Sequence, residues 1–280
     1  NVKIETISTH HFMHYYKWRR QQRAAVQNAT LINEASTIRS IFKYAIRKGY
    51  ISSVFFLEFP KIEKNVGRRE ALSIEEWRKI YTFLRSKKFL NDSDTTKIRY
   101  FIRDFAVLLA NTGLRFGEAR RLKWKHVKVV RGKTSEKKLC EIKLDADMTK
   151  NKKSRVVQGM RGDVLERIKT YSNYKHSNDF IFVDNNSGNQ LERTQYYRSW
   201  KFMLKNAGLD QSDKDISYYN LRHSYATWRL YAGVDSRSLC ENLGCGLQFL
   251  EQHYGHLQTK MMRDKLTKGI DSDIKYLLEE

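Results

Sequence analysis

Asn111-Thr112-Gly113-Leu114-Arg115-Phe116-Gly117-Glu118 joins an apolar run, Ile102 to Asn111, to a second helical stretch, Phe116 to Leu122. Gly113 stands where a helix should stop, and Arg115 where the next one begins, at the end whose free N–H groups favour an anion. A second arginine stands in the same kind of place. Tyr219-Asn220-Leu221-Arg222-His223 follows the polar turn Ser212 to Tyr218 and opens a predicted helix over Leu221 to Tyr231. Further on comes Glu251-Gln252-His253-Tyr254-Gly255-His256. Two guanidinium forks can hold the nonbridging oxygens of one phosphodiester, and both stay charged at physiological pH. A tyrosine hydroxyl beside them can attack phosphorus and keep the cut end as an ester. Alone, either arginine reads as a surface or salt-bridge residue; the three segments together point to DNA strand breakage.

Working outward, Leu31, Ile32, Ala35, Ile38, Ile41, Phe42, Ala45 and Ile46 recur at helical steps, and Gly49 marks a stop. Thr9 is predicted to cap an earlier helix carrying His10 to Gln27. On it Lys17, Arg19, Arg20 and Arg23 interleave with Tyr15, Tyr16 and Trp18, which suits a DNA backbone or, more plainly, a solvated charged face. The sole proline, Pro60, begins an aperiodic basic passage, Lys61 to Arg69, and Ser73-Ile74-Glu75-Glu76 after it reads as a capping box. These signals divide the chain into a helical domain over 1–62, a linker over 63–72 and a larger domain over 73–280.

In the larger domain helices are predicted over Trp77 to Leu84, Ile102 to Asn111, Val164 to Tyr171, Arg193 to Asn206 and Leu221 to Tyr231. Between them Val127 to Val130, Leu139 to Leu144 and Arg155 to Val157 are short β-branched runs, parted by Gly132-Lys133-Thr134 and by Asp145 to Lys153. The predicted fold is therefore mainly α with a small antiparallel β-sheet. No internal repeat or low-complexity segment is visible.

The 280 residues, 40% of them hydrophobic, suffice for real cores. A formal charge of +22, spread along the whole chain, points to an extended polyanion as partner; a ribosome-associated or merely basic surface is the plain alternative. No run of roughly 18 apolar residues occurs and no apolar segment follows a basic amino terminus, so no membrane association, spanning helix or signal peptide is expected. A cytoplasmic protein associated with the nucleoid is expected instead. Cys140, Cys240 and Cys245 are odd in number and form no CxxC pair, which predicts free thiols and no structural zinc. His10 and His14 lie one helical turn apart without a third ligand, so no metal is expected.

Thr112-Gly113-Leu114-Arg115-Phe116-Gly117-Glu118 and Leu221-Arg222-His223-Ser224-Tyr225-Ala226-Thr227 resemble the two arginine boxes of the tyrosine recombinases, the integrase family of phages and mobile elements. Ala232-Gly233-Val234-Asp235, Leu243-Gly244 and His253-Tyr254-Gly255-His256 follow in that family's order and spacing. The resemblance covers nearly the whole chain. It implies a core-binding (SAM-like) helical domain over 1–62 and a DNA breaking and rejoining domain over 73–280. It also implies that Tyr254 attacks the scissile phosphate to form a 3′-phosphotyrosyl bond while Arg115 and Arg222 stabilise the transition state. The family uses a hairpin lysine as general acid; Lys150 is the matching position, with Lys152 and Lys153 as competitors and plain phosphate contact as the alternative role. Neither metal, ATP nor any cofactor is needed. The implied partners are double-stranded DNA carrying attachment or recombination sites, three further copies in a homo-tetramer on two duplexes, and an accessory DNA-bending protein. The terminal segment Gln258 to Leu278 is expected to dock on a neighbouring protomer or to pack on its own domain.

Two positions depart from the family pattern. Tyr219 replaces the histidine common three residues before the second arginine; a phenol donates a hydrogen bond to phosphate but is a poor general base at neutral pH. Cys245 replaces the histidine or tryptophan that often follows Leu-Gly, and a thiol is a weaker donor that can be oxidised. Both are retained as candidate site residues. His223 is read as a structural histidine, and His253 and His256 as DNA contacts or loop-shaping residues. Other readings are a noncutting DNA-binding relative of the recombinases and a type IB topoisomerase relaxing supercoils as a monomer.

Overall fold

A computed structural model describes residues 3–52, 57–63, 70–90, 96–131, 138–212 and 214–251. The chain divides into two compact units, Asn1–Arg68 and Arg69–Glu280.

The first unit holds helices α1 (Tyr15–Gln22) and α2 (Asn28–Arg47). Leu31, Ala35, Phe42 and Ala45 form the buried stripe of α2 and pack with Tyr16, Ile51, Leu57 and Phe59. The early helix is shorter and more broken than its sequence suggests. A 3₁₀ turn over Thr9–Phe12 precedes α1, and Arg23 is already extended. The cap is Ser8, whose backbone N–H donates to His11 Nδ1 at 3.0 Å, while the Thr9 hydroxyl accepts from Glu58 N at 3.2 Å. The aromatic rings explain the interruption: Phe12, Tyr15 and Tyr16 all converge on Phe59, with centroids 5.0, 5.8 and 6.1 Å away. Ile41, in phase with the apolar stripe, is exposed. Of the basic residues, Arg19 is held by Glu34 at 3.1 Å and Arg20 donates to Asn28 at 2.7 Å.

The second unit starts with α3 (Ile74–Leu84), closed by the expected capping box: Ser73 Oγ accepts from Glu76 N at 3.1 Å and Glu76 Oε2 from Ser73 N at 2.7 Å. After α4 (Lys87–Leu90) comes α5 (Ile98–Thr112), buried on every side from Phe101 to Ala110, as a helix with other elements packed all round it must be. Its buried Asp104 is satisfied by Arg103 at 2.7 Å and the Tyr171 hydroxyl at 2.7 Å. Next come α6 (Phe116–Arg120) and an antiparallel sheet in the order β1 (Val127–Arg131), β2 (Lys138–Leu144), β3 (Arg155–Met160). Cys140 pairs with Val129 on one side and Gly159 on the other. Among the described residues four helices follow: α7 (Asp163–Tyr171), α8 (Arg193–Asn206), α9 (Tyr218–Tyr231) and α10 (Ser236–Leu243).

Two features differ from the sequence reading. α9 begins at Tyr218, because Asn220 Oδ1 accepts from Ser217 N at 2.8 Å and sets the start of the helix there. Arg222 therefore lies in the body of α9 rather than at its opening. α4 and α10 have no counterpart among the predicted helices; Asp235 caps α10 by accepting from Ser238 N at 2.9 Å.

Candidate active site

Arg115 occupies the N-cap of α6, and its partner is three residues on. Arg115 N donates to Glu118 Oε2 at 2.9 Å and Arg115 Nη1 to Glu118 Oε1 at 2.7 Å, so one carboxylate fixes both the backbone and the side chain of the arginine. The other prong, Nη2, donates to the Gly244 carbonyl at 2.7 Å. Arg222, only 5% exposed, donates from Nη1 to the Gly113 carbonyl at 2.6 Å and from Nη2 to the Leu243 carbonyl at 2.7 Å. The two arginine boxes thus meet on consecutive peptide units, Leu243 and Gly244. Those carbonyls are available because α10 ends there, where helix carbonyls lack intrahelical partners and carry partial negative charge.

Gly244 makes this ending possible. Its φ is +63°, and it closes a Schellman motif in which Cys245 N donates to Cys240 O at 3.1 Å and Gly244 N to Glu241 O at 3.2 Å. A side chain there would also strike the guanidinium of Arg155, with a Cβ 2.8 Å from Cζ.

Arg155, at the start of β3, supplies what the sequence reading missed. Its Nη1 and Nη2 clasp Glu118 at 3.1 and 2.7 Å, and Nε donates to the Asn242 carbonyl at 3.2 Å. Glu118 is 2% exposed. Burial pushes its carboxyl up, but the Arg155 bonds and the Arg115 N–H outweigh burial and hold it below the usual carboxylate range. The spacing of Arg115 and Glu118 is a visible capping signal; Arg155 reads only as the first residue of a strand.

Arg115 and Arg155 share the Glu118 carboxylate and Arg222 has none, which leaves an excess of positive charge in a partly dehydrated site. Among the described residues Arg222 hydrogen-bonds only carbonyls, and burial followed by repulsion from Arg115 lowers its pKa to about 10. It stays a cation at neutral pH, and a bound anion would offset the cost of burying it. The charge of Glu118 acts on Arg222 in the opposite sense. Tyr219 is exposed in the first turn of α9, with its ring edge-on to that of the buried His223 at 4.7 Å. Cys245 Sγ lies 3.9 Å from Cys240 Sγ.

Lys150 is exposed in the turn between β2 and β3, as are Lys152 and Lys153. Thr149 braces this loop: its hydroxyl oxygen accepts from Lys153 N at 3.0 Å, and its hydrogen is shared between the carbonyls of Ala146 and Lys153. A groove of about 530 Å³ runs between Lys153, Ser154 and Arg155 on one side and Cys240, Gly244 and Cys245 on the other. Tyr254, His253 and His256 lie outside the described residues, as do the turn Gly132 to Thr134 and the segment Gln258 to Leu278. Among the described residues no group of three or more His, Cys, Asp and Glu side chains is placed to hold a metal ion, and no helix is long and apolar enough to cross a membrane.

Residues 71–261 match the phage integrase family. Tyrosine recombinase XerD of Halalkalibacterium halodurans is 30% identical over 275 residues, covering 94% of this chain and 80% of the relative. The chain belongs to the phage integrase family of tyrosine recombinases. Tyrosine recombinase XerD of Listeria innocua serovar 6a is 28% identical over 82% of this recombinase and 72% of its own length. In fold, the recombinase resembles XerH site-specific recombinase bound to palindromic difH substrate in a post-cleavage complex. That match has a TM-score of 0.69 and 17% identity, over 95% of this chain and 73% of the other. A lambda integrase (75–356) dimer bound to a COC′ core site gives a TM-score of 0.57 and 19% identity, over 90% and 81%. The fold is that of the family, mainly helical with a small antiparallel sheet, and the enzyme is a site-specific DNA recombinase.

Proposed function

We propose that this recombinase cuts DNA with Tyr254. The phenolic oxygen attacks the scissile phosphorus, a 3′-phosphotyrosyl ester forms, and the 5′ oxygen leaves with a proton from Lys150. Arg115 and Arg222 hold the nonbridging oxygens and offset the charge that grows in the transition state. Tyr219 and Cys245 donate the weaker remaining hydrogen bonds. A 5′ hydroxyl from a second duplex reverses the step, with no metal or ATP. The observation that carries this reading is the meeting of Arg115 and Arg222 on the Gly244 and Leu243 carbonyls, with more guanidiniums than carboxylates present. Such a surplus suits a phosphodiester.

Around this chemistry we place residues 1–62 as the core-binding domain and 73–280 as the catalytic domain. Four protomers exchange strands pairwise between two duplexes, aided by an accessory DNA-bending protein. The enzyme then serves as the integrase of a phage, genomic island or mobile element, working in the cytoplasm on the nucleoid. With a net charge of +22, its DNA affinity falls steeply with salt.

Covalent trapping without metal tests this reading, using DNA from beside its own gene that carries bridging phosphorothiolates. A denaturing gel should show an adduct with the wild type and none with Tyr254→Phe. An adduct that survives in Tyr254→Phe would remove the nucleophile assignment. Salt-sensitive binding with no adduct would favour the noncutting relative.

A further inference from the structure

The Schellman ending of α10 has a chemical consequence. In that motif the residue three before the cap and the second residue after it are brought side by side, usually as an apolar contact. Here those residues are Cys240 and Cys245, joined through the backbone by Cys245 N to Cys240 O at 3.1 Å, with sulfurs 3.9 Å apart. Both line the groove beside Arg155, within reach of a small solute. Bond formation needs the sulfurs to close to about 2 Å, a matter of side-chain rotation when the backbone already holds the pair together.

We propose that Cys240 and Cys245 are a site of reversible oxidation, forming an intramolecular disulfide that switches off strand cleavage. The oxidant is hydrogen peroxide. Cys245, the more exposed of the two, attacks one peroxide oxygen; the O–O bond breaks, giving a sulfenic acid and water. The Cys240 sulfur then gives up its proton and displaces the sulfenic oxygen as a second water. In total two thiols lose two electrons and two protons, and the peroxide becomes two waters. Burial and the neighbouring Cys245 push the Cys240 thiol up to about 12, so it suits the resolving role rather than the attacking one. Cys140, fully buried and also pushed up to about 12 by burial, serves as an inert internal reference.

The effect on cleavage rests on the site reading given above. Cys245 directly follows Gly244, whose carbonyl anchors Arg115, and Leu243, two residues before it, supplies the carbonyl that anchors Arg222. A disulfide would turn its sulfur toward α10 and remove the thiol hydrogen from the phosphate side.

Trypsin should release both thiols in one peptide, Ser238 to Lys260, so the bond appears as a loss of two hydrogen masses after hydrogen peroxide treatment of the full chain. Phosphorothiolate cleavage should drop at least about tenfold in the oxidised wild type and recover with dithiothreitol. Cys240→Ser should cut like the reduced wild type and resist the same mild treatment; Cys240→Ala repeats the test should a hydroxyl be poorly tolerated there. Three results would overturn the proposal: two free thiols after oxidation, a disulfide that leaves cleavage unchanged, or equal inactivation of Cys240→Ser. If the reduced wild type fails to cut at all, the reaction assignment falls, while the peptide mass still decides the bond.

Discussion

Arg155 clasps Glu118 with both prongs of its guanidinium, at 3.1 and 2.7 Å, from a strand on the other side of the lysine-bearing turn. Glu118 in turn fixes Arg115. The hairpin that carries Lys150 and the helix that Arg115 caps are therefore registered against each other through a single buried carboxylate. Arg155 is a positioning residue in this scheme and acts on the phosphate through Arg115.

Arg155→Ala should cost about 3 kcal/mol of stability, because it leaves Glu118 buried with half its partners. Arg155→Lys should recover part of that loss, since an ammonium restores charge but not the two-pronged geometry. Urea midpoints measure the first effect, and phosphorothiolate cleavage the second, with alanine slower than lysine and lysine slower than wild type. Equal stability of all three proteins would show that the fork is dispensable.

Arg222→Lys separates charge from shape. The fork of Arg222 reaches the Gly113 and Leu243 carbonyls together, and a lysine cannot hold both while also facing a phosphate. Cleavage should fall by about 10²- to 10³-fold, the range for loss of a preorganised donor. Binding should change little, because most phosphate contacts of so basic a chain lie elsewhere. A filter-binding assay run beside the cleavage assay reads the two effects apart; parallel losses would mean that Arg222 is needed for binding as such.

Acid should expose the Glu118 clasp. Its carboxyl is held below the usual carboxylate range in the folded chain, so its stabilisation is complete above the unfolded value and disappears as pH falls through the folded one. Between about pH 7 and pH 3 the wild type should lose more stability than Glu118→Gln, and the gap between them should close. Urea titrations of both proteins across that range measure it. A gap independent of pH would mean that Glu118 contributes by packing alone.

Much of this architecture is legible in the residues. The apolar run Ile102 to Asn111, the Ser73-Glu76 box and the three β-branched runs name α5, α3 and the sheet, because each depends on local pattern alone. The two arginine boxes name the pair of guanidiniums that meet at the end of α10. What the sequence hides is nonlocal. The aromatic rings around Phe59 break the first helix, and no periodicity reports a ring arriving from beyond α2. Arg155 meets Glu118 only after β3 and α6 have packed. The expected opening of a helix at Arg222 gives way to an earlier start because Asn220 turns back to Ser217, a short-range bond that apolar periodicity does not register.

The two glycines of the first arginine box should respond oppositely to alanine. Gly113 has φ +68°, and a Cβ there would lie 2.4 Å from a Tyr225 ring carbon and 2.6 Å from a Leu243 methyl. A left-handed conformation costs an alanine about 1 kcal/mol, and forcing the ring and methyl aside adds about 1–3 kcal/mol. The same displacement would move the Gly113 carbonyl that anchors Arg222, so cleavage should fall with stability. Gly117 lies inside α6, and a Cβ added to it would meet nothing within 4 Å, so alanine there gains helix propensity of up to about 1 kcal/mol. Urea denaturation of Gly113→Ala and Gly117→Ala decides the matter. Gly113→Ala within about 0.5 kcal/mol of wild type would show that the junction between α5 and α6 yields more easily than its packing implies.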